Sequence, residues 1–110
     1  MVAAPRPRII RHVSEYFCYI LECADGTFYT GWTTDPARRL QQHSAGRGAR
    51  YTRARRPLRL AYVEPQSDRR AAMQRERSLK NLTRQRKLAL IRQQDGVDPS
   101  GSAPTEGRHD

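Results

Sequence analysis

The sequence predicts an α/β (α+β) domain in which a small three-stranded, mainly antiparallel sheet is flanked by helices in the order β-β-α-β-α-α. Three observations predict it. Two runs rich in aromatic, β-branched and apolar residues, 16–23 and 27–31, are separated by Ala24-Asp25-Gly26, which marks a hairpin. Three later segments with helical periodicity each follow a capping residue: Asp35, Asp68 and Thr83. Between the first and second of these helices, residues 58–64 alternate as a strand does. Packing helices on a small sheet is the economical way to bury the apolar faces of both.

The length of the hairpin loop decides which side chains share a face. A two-residue Asp-Gly turn would pair Glu22 with Tyr29 and send Tyr19 and Tyr29 to opposite faces. A three-residue loop, with a type I turn and Gly26 in the left-handed bulge position, pairs Leu21 with Tyr29 instead. Both tyrosines then lie on one face, about 7 Å apart on the diagonal. The three-residue loop is expected. Next, Asp35-Pro36 has the form of an N-cap followed by proline at the first helical position, and the helix should run through His43 to a stop near Gly46. Leu40 is expected to face the core, with Arg39 and His43 at i and i+4 on an adjacent face. Residues 47–59 read as a loop closed by Pro57. Asp68 then caps a helix to about Leu82, and Thr83 caps another to about Gln94.

The chain, 110 residues long, fits one domain, expected over residues 15–94. Residues 1–14 contain Pro5 and Pro7 without periodicity, and residues 95–110 are Gly, Pro, Ser and acid; both ends are expected to be disordered. Lys and Arg total 21 against 11 Asp and Glu, and four of the acids (Asp95, Asp98, Glu106, Asp110) fall in the tail. An excess this basic, dominated by arginine, points to a polyanionic partner held by forked phosphate contacts. No apolar run approaches the roughly 20 residues a membrane helix needs, so a cytoplasmic protein without membrane contact is expected. Cys18 and Cys23 match neither a zinc-ligand spacing nor a redox pair and read as reduced packing residues.

Three groups of residues have the chemistry for a site. Tyr19 and Tyr29 are the first: strand tyrosines ordinarily pack with one wet hydroxyl, but here Arg39 and His43 on the next helix supply a guanidinium and an imidazole beside two phenols. Such a group can hold a phosphate and move protons. Glu76 is the second. It is the one carboxylate between Arg69 and Gln94, and it shares a helical face with Ala72 and Leu79, with Met73 one turn before. An acid on an apolar stripe is costly unless it is paired, as with Lys80 at i+4, or binds a metal. A lone carboxylate suits magnesium, which keeps several waters. The third is the loop with Arg47, Arg50, Arg53, Arg55, Arg56 and Arg59 around Tyr51, which resembles a surface that tracks a nucleic-acid backbone.

Together these residues resemble the GIY-YIG family, named for two short tyrosine motifs on consecutive strands. Phe17-Cys18-Tyr19 stands at the first motif and Tyr29-Thr30-Gly31 at the second. Arg39 and His43 match the arginine and the His or Tyr of the following helix, and Glu76 matches the metal-binding glutamate. The chain looks closest to small stand-alone bacterial members, with Tyr51-Thr52-Arg53 and residues 76–82 typical of them, and it resembles the nuclease module of the excision-repair incision subunit. Phe17 and Cys18 replace Gly and Ile, Trp32 stands where related nucleases often carry lysine or a small residue, and Asn81 is the nearest match to a late asparagine.

The resemblance implies a divalent-metal-dependent DNA endonuclease serving repair or processing, with one Mg²⁺ or Mn²⁺ held by Glu76. It implies that Tyr19 or Tyr29 takes a proton from water, that Arg39 stabilises charge on the phosphate, and that His43 holds a tyrosine or relays its proton. Arg47, Arg50, Tyr51, Arg53, Arg55, Arg56 and Lys80 would contact DNA or structured RNA, with Gly31, Trp32 and Asn81 nearby. A monomer or weak dimer is expected, nucleoid-associated in a bacterium, with a protein partner to supply specificity. The alternative is a non-catalytic nucleic-acid-binding protein that retains the fold; a module for binding an acidic protein is a third reading.

Overall fold

A computed structural model describes residues 14–96, so the two ends expected to be disordered lie almost wholly outside the described residues. The chain runs β1 (Tyr16–Glu22), β2 (Phe28–Thr33), α1 (Pro36–Ser44), α2 (Arg50–Arg53), β3 (Arg59–Gln66), α3 (Arg69–Lys80) and α4 (Arg84–Gln94). The sheet is antiparallel throughout, in the order β2-β1-β3. β1 is therefore the central strand, and it carries the fully buried run Cys18 to Leu21.

The hairpin has the three-residue loop. Leu21 pairs with Tyr29 and Tyr19 with Gly31, the Gly26 amide donates to the Cys23 carbonyl at 2.9 Å, and Gly26 has φ +83°. Asp25 fastens the turn by accepting from the Thr27 amide at 3.1 Å and from its hydroxyl at 2.6 Å. All three expected caps are present: Asp35 accepts from Arg38 N–H at 3.1 Å, Asp68 from Ala71 N–H at 2.7 Å, and Thr83 from Arg86 N–H at 3.2 Å.

Alternation along β1 divides the packing. Cys18 meets Ala72 and Leu79 of α3, whereas Ile20 meets Ala61, Tyr62 and Ile91, the last on α4. Tyr19 points to the other face, toward α1. Between β1 and β3 the register shifts, from Ile20 opposite Tyr62 to Leu21 opposite Leu60, which leaves Ala61 as an extra residue in a bulge. The exposed edge of β3 is partly capped by α4, whose Gln94 amide accepts from Val63 N–H at 3.0 Å and donates to Val63 C=O at 2.6 Å. No helix among the described residues is long and apolar enough to cross a membrane.

Three expectations are corrected. The segment 47–59 is not all loop, because Arg50–Arg53 forms a single helical turn after Ala49. In α1 the fully buried residue is His43, while Leu40 is only half-buried. Met73 is 40 % exposed and stands off the face that Ala72 and Leu79 bury.

Candidate active site

One cavity of about 420 Å³ is lined by Tyr19, Tyr29, Gly31, Trp32, Thr33, Thr34, Arg39 and Glu76. Four elements and one loop residue build it: β1 supplies Tyr19, β2 supplies Tyr29, Gly31, Trp32 and Thr33, α1 supplies Arg39, α3 supplies Glu76, and Thr34 is the loop residue. A second, smaller cavity of about 210 Å³ shares Thr33, Thr34 and Arg39 and extends the first toward Arg38 and Gln42.

The hairpin register sets the tyrosines on one face, and Gly31 makes room for one of them. A Cβ at Gly31 would lie 2.5 Å from the Tyr19 hydroxyl, so the glycine of the second motif is needed by the tyrosine of the first. Tyr19 is 1 % exposed, and its hydroxyl lies 3.1 Å from Nε2 of the fully buried His43. Burial pushes the Tyr19 phenol above its ordinary value, opposed by a hydrogen bond and charge from Arg39. Burial also pushes His43 down, and the Arg39 charge adds to that, so the imidazole is neutral near neutral pH. The Tyr29 ring lies 5.3 Å from the His43 ring and is stacked on Tyr51 at 6.1 Å and 24°, with the Arg55 guanidinium 3.7 Å from the Tyr51 ring centre.

Arg39 donates from Nη1 to Gln42 at 3.0 Å, while its buried Nε has no partner. A buried donor without an acceptor is costly in a finished protein interior. At the wall of an open polar cavity such a donor can be met by an anionic oxygen.

The scan against family models matches the GIY-YIG catalytic domain over residues 15–89. The chain belongs to the GIY-YIG family. It is 52 % identical over 77 residues to a UPF0213 protein of Streptococcus agalactiae, covering 70 % of this chain and 88 % of that one. It is 45 % identical over 83 residues to a UPF0213 protein of Natronomonas pharaonis, covering 76 % of this chain and 98 % of that one. Among solved structures it is similar to a protein of E. faecalis determined by solution NMR, with TM-score 0.50 and 36 % identity over 89 % of this chain and 94 % of the other.

Within this GIY-YIG domain, the fit of a divalent ion is decided by the donor set. Glu76 is the one carboxylate lining the cavity; its side chain is 23 % exposed, with Lys80 Nζ 3.5 Å away. Among the described residues no group of three or more His, Cys, Asp or Glu side chains gathers as a metal cage. That excludes a structural zinc site of the usual four-ligand kind at those residues. It suits a hydrated magnesium or manganese ion that takes one carboxylate and keeps its waters. Without an ion, Glu76 has Lys80 as its partner at 3.5 Å, so the carboxylate is tolerated there.

The arginine surface is less uniform than its composition implies. Arg47, Arg50 and Arg53 are exposed. Arg55 instead pairs with Asp25 at 3.1 Å, Arg56 donates to the Arg53 and Ser44 carbonyls, and Arg59 pairs with Glu22 at 2.6 Å. These three fasten the loop to the hairpin and to α1. Trp32 stands half-buried at the cavity wall, its ring 6.2 Å from Tyr16 and 5.7 Å from the Arg69 guanidinium. Asn81 caps the end of α3 and does not line the cavity.

Sequence reasoning missed Thr52, fully buried with its hydroxyl 2.7 Å from His43 Nδ1, and Thr33 and Thr34 in the cavity wall. Thr52 stands inside the run Tyr51-Thr52-Arg53 that carries part of the family resemblance, but its arginine neighbours gave no sign of burial. Also missed was a polar cluster on β3. There Glu64 accepts from Arg75 at 2.6 Å, Tyr62 at 2.6 Å and Gln66 at 2.8 Å. Burial pushes Glu64 up, yet those hydrogen bonds and the Arg75 charge outweigh it and hold the carboxyl below its ordinary range.

Proposed function

We propose that this domain is a divalent-metal-dependent DNA endonuclease that hydrolyses phosphodiester bonds. What supports the reading is convergence: two phenols, the Arg39 guanidinium with its unpartnered buried Nε, and the Glu76 carboxylate line a single cavity in a member of a nuclease superfamily. A phosphate oxygen seated against Arg39 would satisfy that nitrogen and give the guanidinium a forked contact. Glu76 would hold one Mg²⁺ or Mn²⁺; when bound, such an ion supplies Lewis-acid stabilisation of the phosphate and the leaving oxygen.

Water attacks in line, and its proton goes to Tyr19. Burial makes a free phenolate there unfavourable, so Tyr19 gives up its own proton to His43 as it takes the new one. A neutral imidazole at 3.1 Å is poised for that transfer. Arg39 stabilises charge that builds on the phosphate oxygens, and Tyr29 closes the cavity beside His43. Arg47, Arg50 and Arg53 track the flanking backbone, as exposed arginines of the basic loop that are not tied down as Arg55, Arg56 and Arg59 are.

Supercoiled plasmid tests the proposal. Wild type should nick it with Mg²⁺ or Mn²⁺ and not with EDTA. Glu76→Ala and Arg39→Ala should each lose about a hundredfold or more in nicking while keeping salt-sensitive DNA binding. Nicking that survives EDTA or Glu76→Ala unchanged overturns the metal role; binding without nicking by wild type in either metal leaves a DNA-binding domain in place of an enzyme.

A further inference from the structure

We propose that Thr52 is a positioning residue that locks His43 in the Nδ1–H tautomer, leaving Nε2 as a bare lone pair aimed at the Tyr19 hydroxyl. The tautomer is argued from the hydrogen bonds on the two ring nitrogens; its importance for hydrolysis rests on the nuclease reading above.

Three buried side chains form one chain of hydrogen bonds. Tyr19 is 1 % exposed, and His43 and Thr52 are fully buried, so behind the Tyr19 hydroxyl the chain is shut off from the cavity. At one end, the Thr52 hydroxyl lies 3.0 Å from the Ala49 carbonyl and 2.7 Å from His43 Nδ1. A hydroxyl carries a single hydrogen. Ala49 offers only an acceptor, and with the hydroxyl hydrogen donated there Thr52 meets the imidazole as an acceptor. In that arrangement Nδ1 carries the hydrogen.

At the other end the Tyr19 hydroxyl lies 3.1 Å from Nε2. With the ring hydrogen on Nδ1, Nε2 accepts and the phenol donates. Since His43 is neutral, it carries one ring hydrogen, already placed on Nδ1. The chain runs one way, from Tyr19 through His43 and Thr52 to the Ala49 carbonyl. When His43 receives the Tyr19 proton, both ring N–H groups still have acceptors, so the imidazolium is accommodated without rearrangement.

Two features hold the lock in place. Thr52 belongs to the single turn α2, whose Arg53 amide also donates to Ala49 C=O at 3.0 Å, so the carbonyl is fixed where Thr52 needs it. Gly48 presses its backbone on the same edge of the imidazole: a Cβ there would overlap Nδ1, Cγ and Cε1 of His43. The ring has no room to swing away from Thr52.

The test reads the tautomer directly, from the imidazole nitrogen shifts of His43 by NMR near neutral pH, with His43→Gln to assign them among the three histidines. Wild type should show a protonated Nδ1 and a bare Nε2. Thr52→Val keeps the shape but removes the acceptor; it should populate the Nε2–H form and cut nicking turnover by roughly ten- to a hundredfold, by analogy with loss of the partner that orients a metal-bound histidine. DNA affinity should not change, and Thr52→Ser should restore both tautomer and turnover. An Nε2–H tautomer in wild type overturns the proposal without any variant, even if Thr52→Val fails to fold. A changed tautomer in Thr52→Val with full turnover overturns the positioning role. Absence of nicking by wild type falls on the nuclease reading, while the spectrum still decides the tautomer.

Discussion

Tyr19 shows how tightly single residues constrain one another here. Its hydroxyl is held by His43 on one side and leaves no space on the other, since a Cβ at Gly31 would come within 2.5 Å of it. Gly31→Ala must push the ring away from His43 or bend β2. Overpacking of this kind typically costs about 1–3 kcal/mol, to be read from urea denaturation. The same variant should nick plasmid far more slowly than its lost stability explains, because the phenol leaves its partner. A Gly31→Ala protein with wild-type stability and wild-type nicking would mean that Tyr19 tolerates displacement. Cys18, the neighbour on the opposite face, has its thiol pushed up to about 11 by burial, with Glu64 and Glu76 adding to the shift. It is a packing residue that donates to the Ala72 carbonyl at 3.2 Å, and its thiol should resist alkylation in the folded state.

At the scale of elements, the first hairpin is the part on which the site depends most. Its three-residue loop sets the register that puts Tyr19 and Tyr29 on one face, and Gly26 at φ +83° makes that loop possible. Gly26→Ala should cost about 1–2 kcal/mol, the penalty for an L-residue held in the left-handed region; nothing lies within 4 Å of the added Cβ, so the loss would be conformational and not steric. Chemical denaturation against Ala24→Gly as a control checks it. α4 is anchored differently. Thr83 caps its start, Ile91 enters the core, and Gln94 completes the edge of β3. Thr83→Ala should cost about 1 kcal/mol, and it should raise amide exchange at Val63, whose N–H the far end of that helix protects.

Across the whole molecule, charge governs both stability and binding. His43 is held below its ordinary value of 6.5 and Glu64 below 4.5. For each, the unfolded chain binds protons more readily than the folded one, so their contributions are present above those ordinary values and are lost as pH falls through the folded ones. Thermal stability should therefore fall in two stages on acidification, the first beginning near 6.5 and absent in His43→Gln, the second beginning near 4.5 and absent in Glu64→Gln. A single stage unaffected by either substitution would refute the assignment. For nucleic acid, the slope of log affinity against log salt should drop by about 1 for each phosphate contact removed. Replacing exposed Arg47, Arg50 or Arg53 should show that loss; Arg59, tied to Glu22, should not.

What the sequence by itself determined was everything governed by short-range rules. Turn chemistry at Ala24-Asp25-Gly26, side-chain alternation and the caps at Asp35, Asp68 and Thr83 act over a few residues, so the hairpin register, the helix starts and the shared face of Tyr19 and Tyr29 could be read directly. Tertiary structure alone decided which polar groups became interior. Thr52 and His43 are nine residues apart and satisfy each other only because α2 folds back on α1, and Glu64 finds Arg75 across the gap between strand and helix. The arginines of the basic loop look alike in sequence, yet Asp25, Glu22 and the Ser44 carbonyl engage some and leave others to solvent. A buried polar residue is recognisable only by its partner, and partners brought together by long-range packing leave no local periodicity to read.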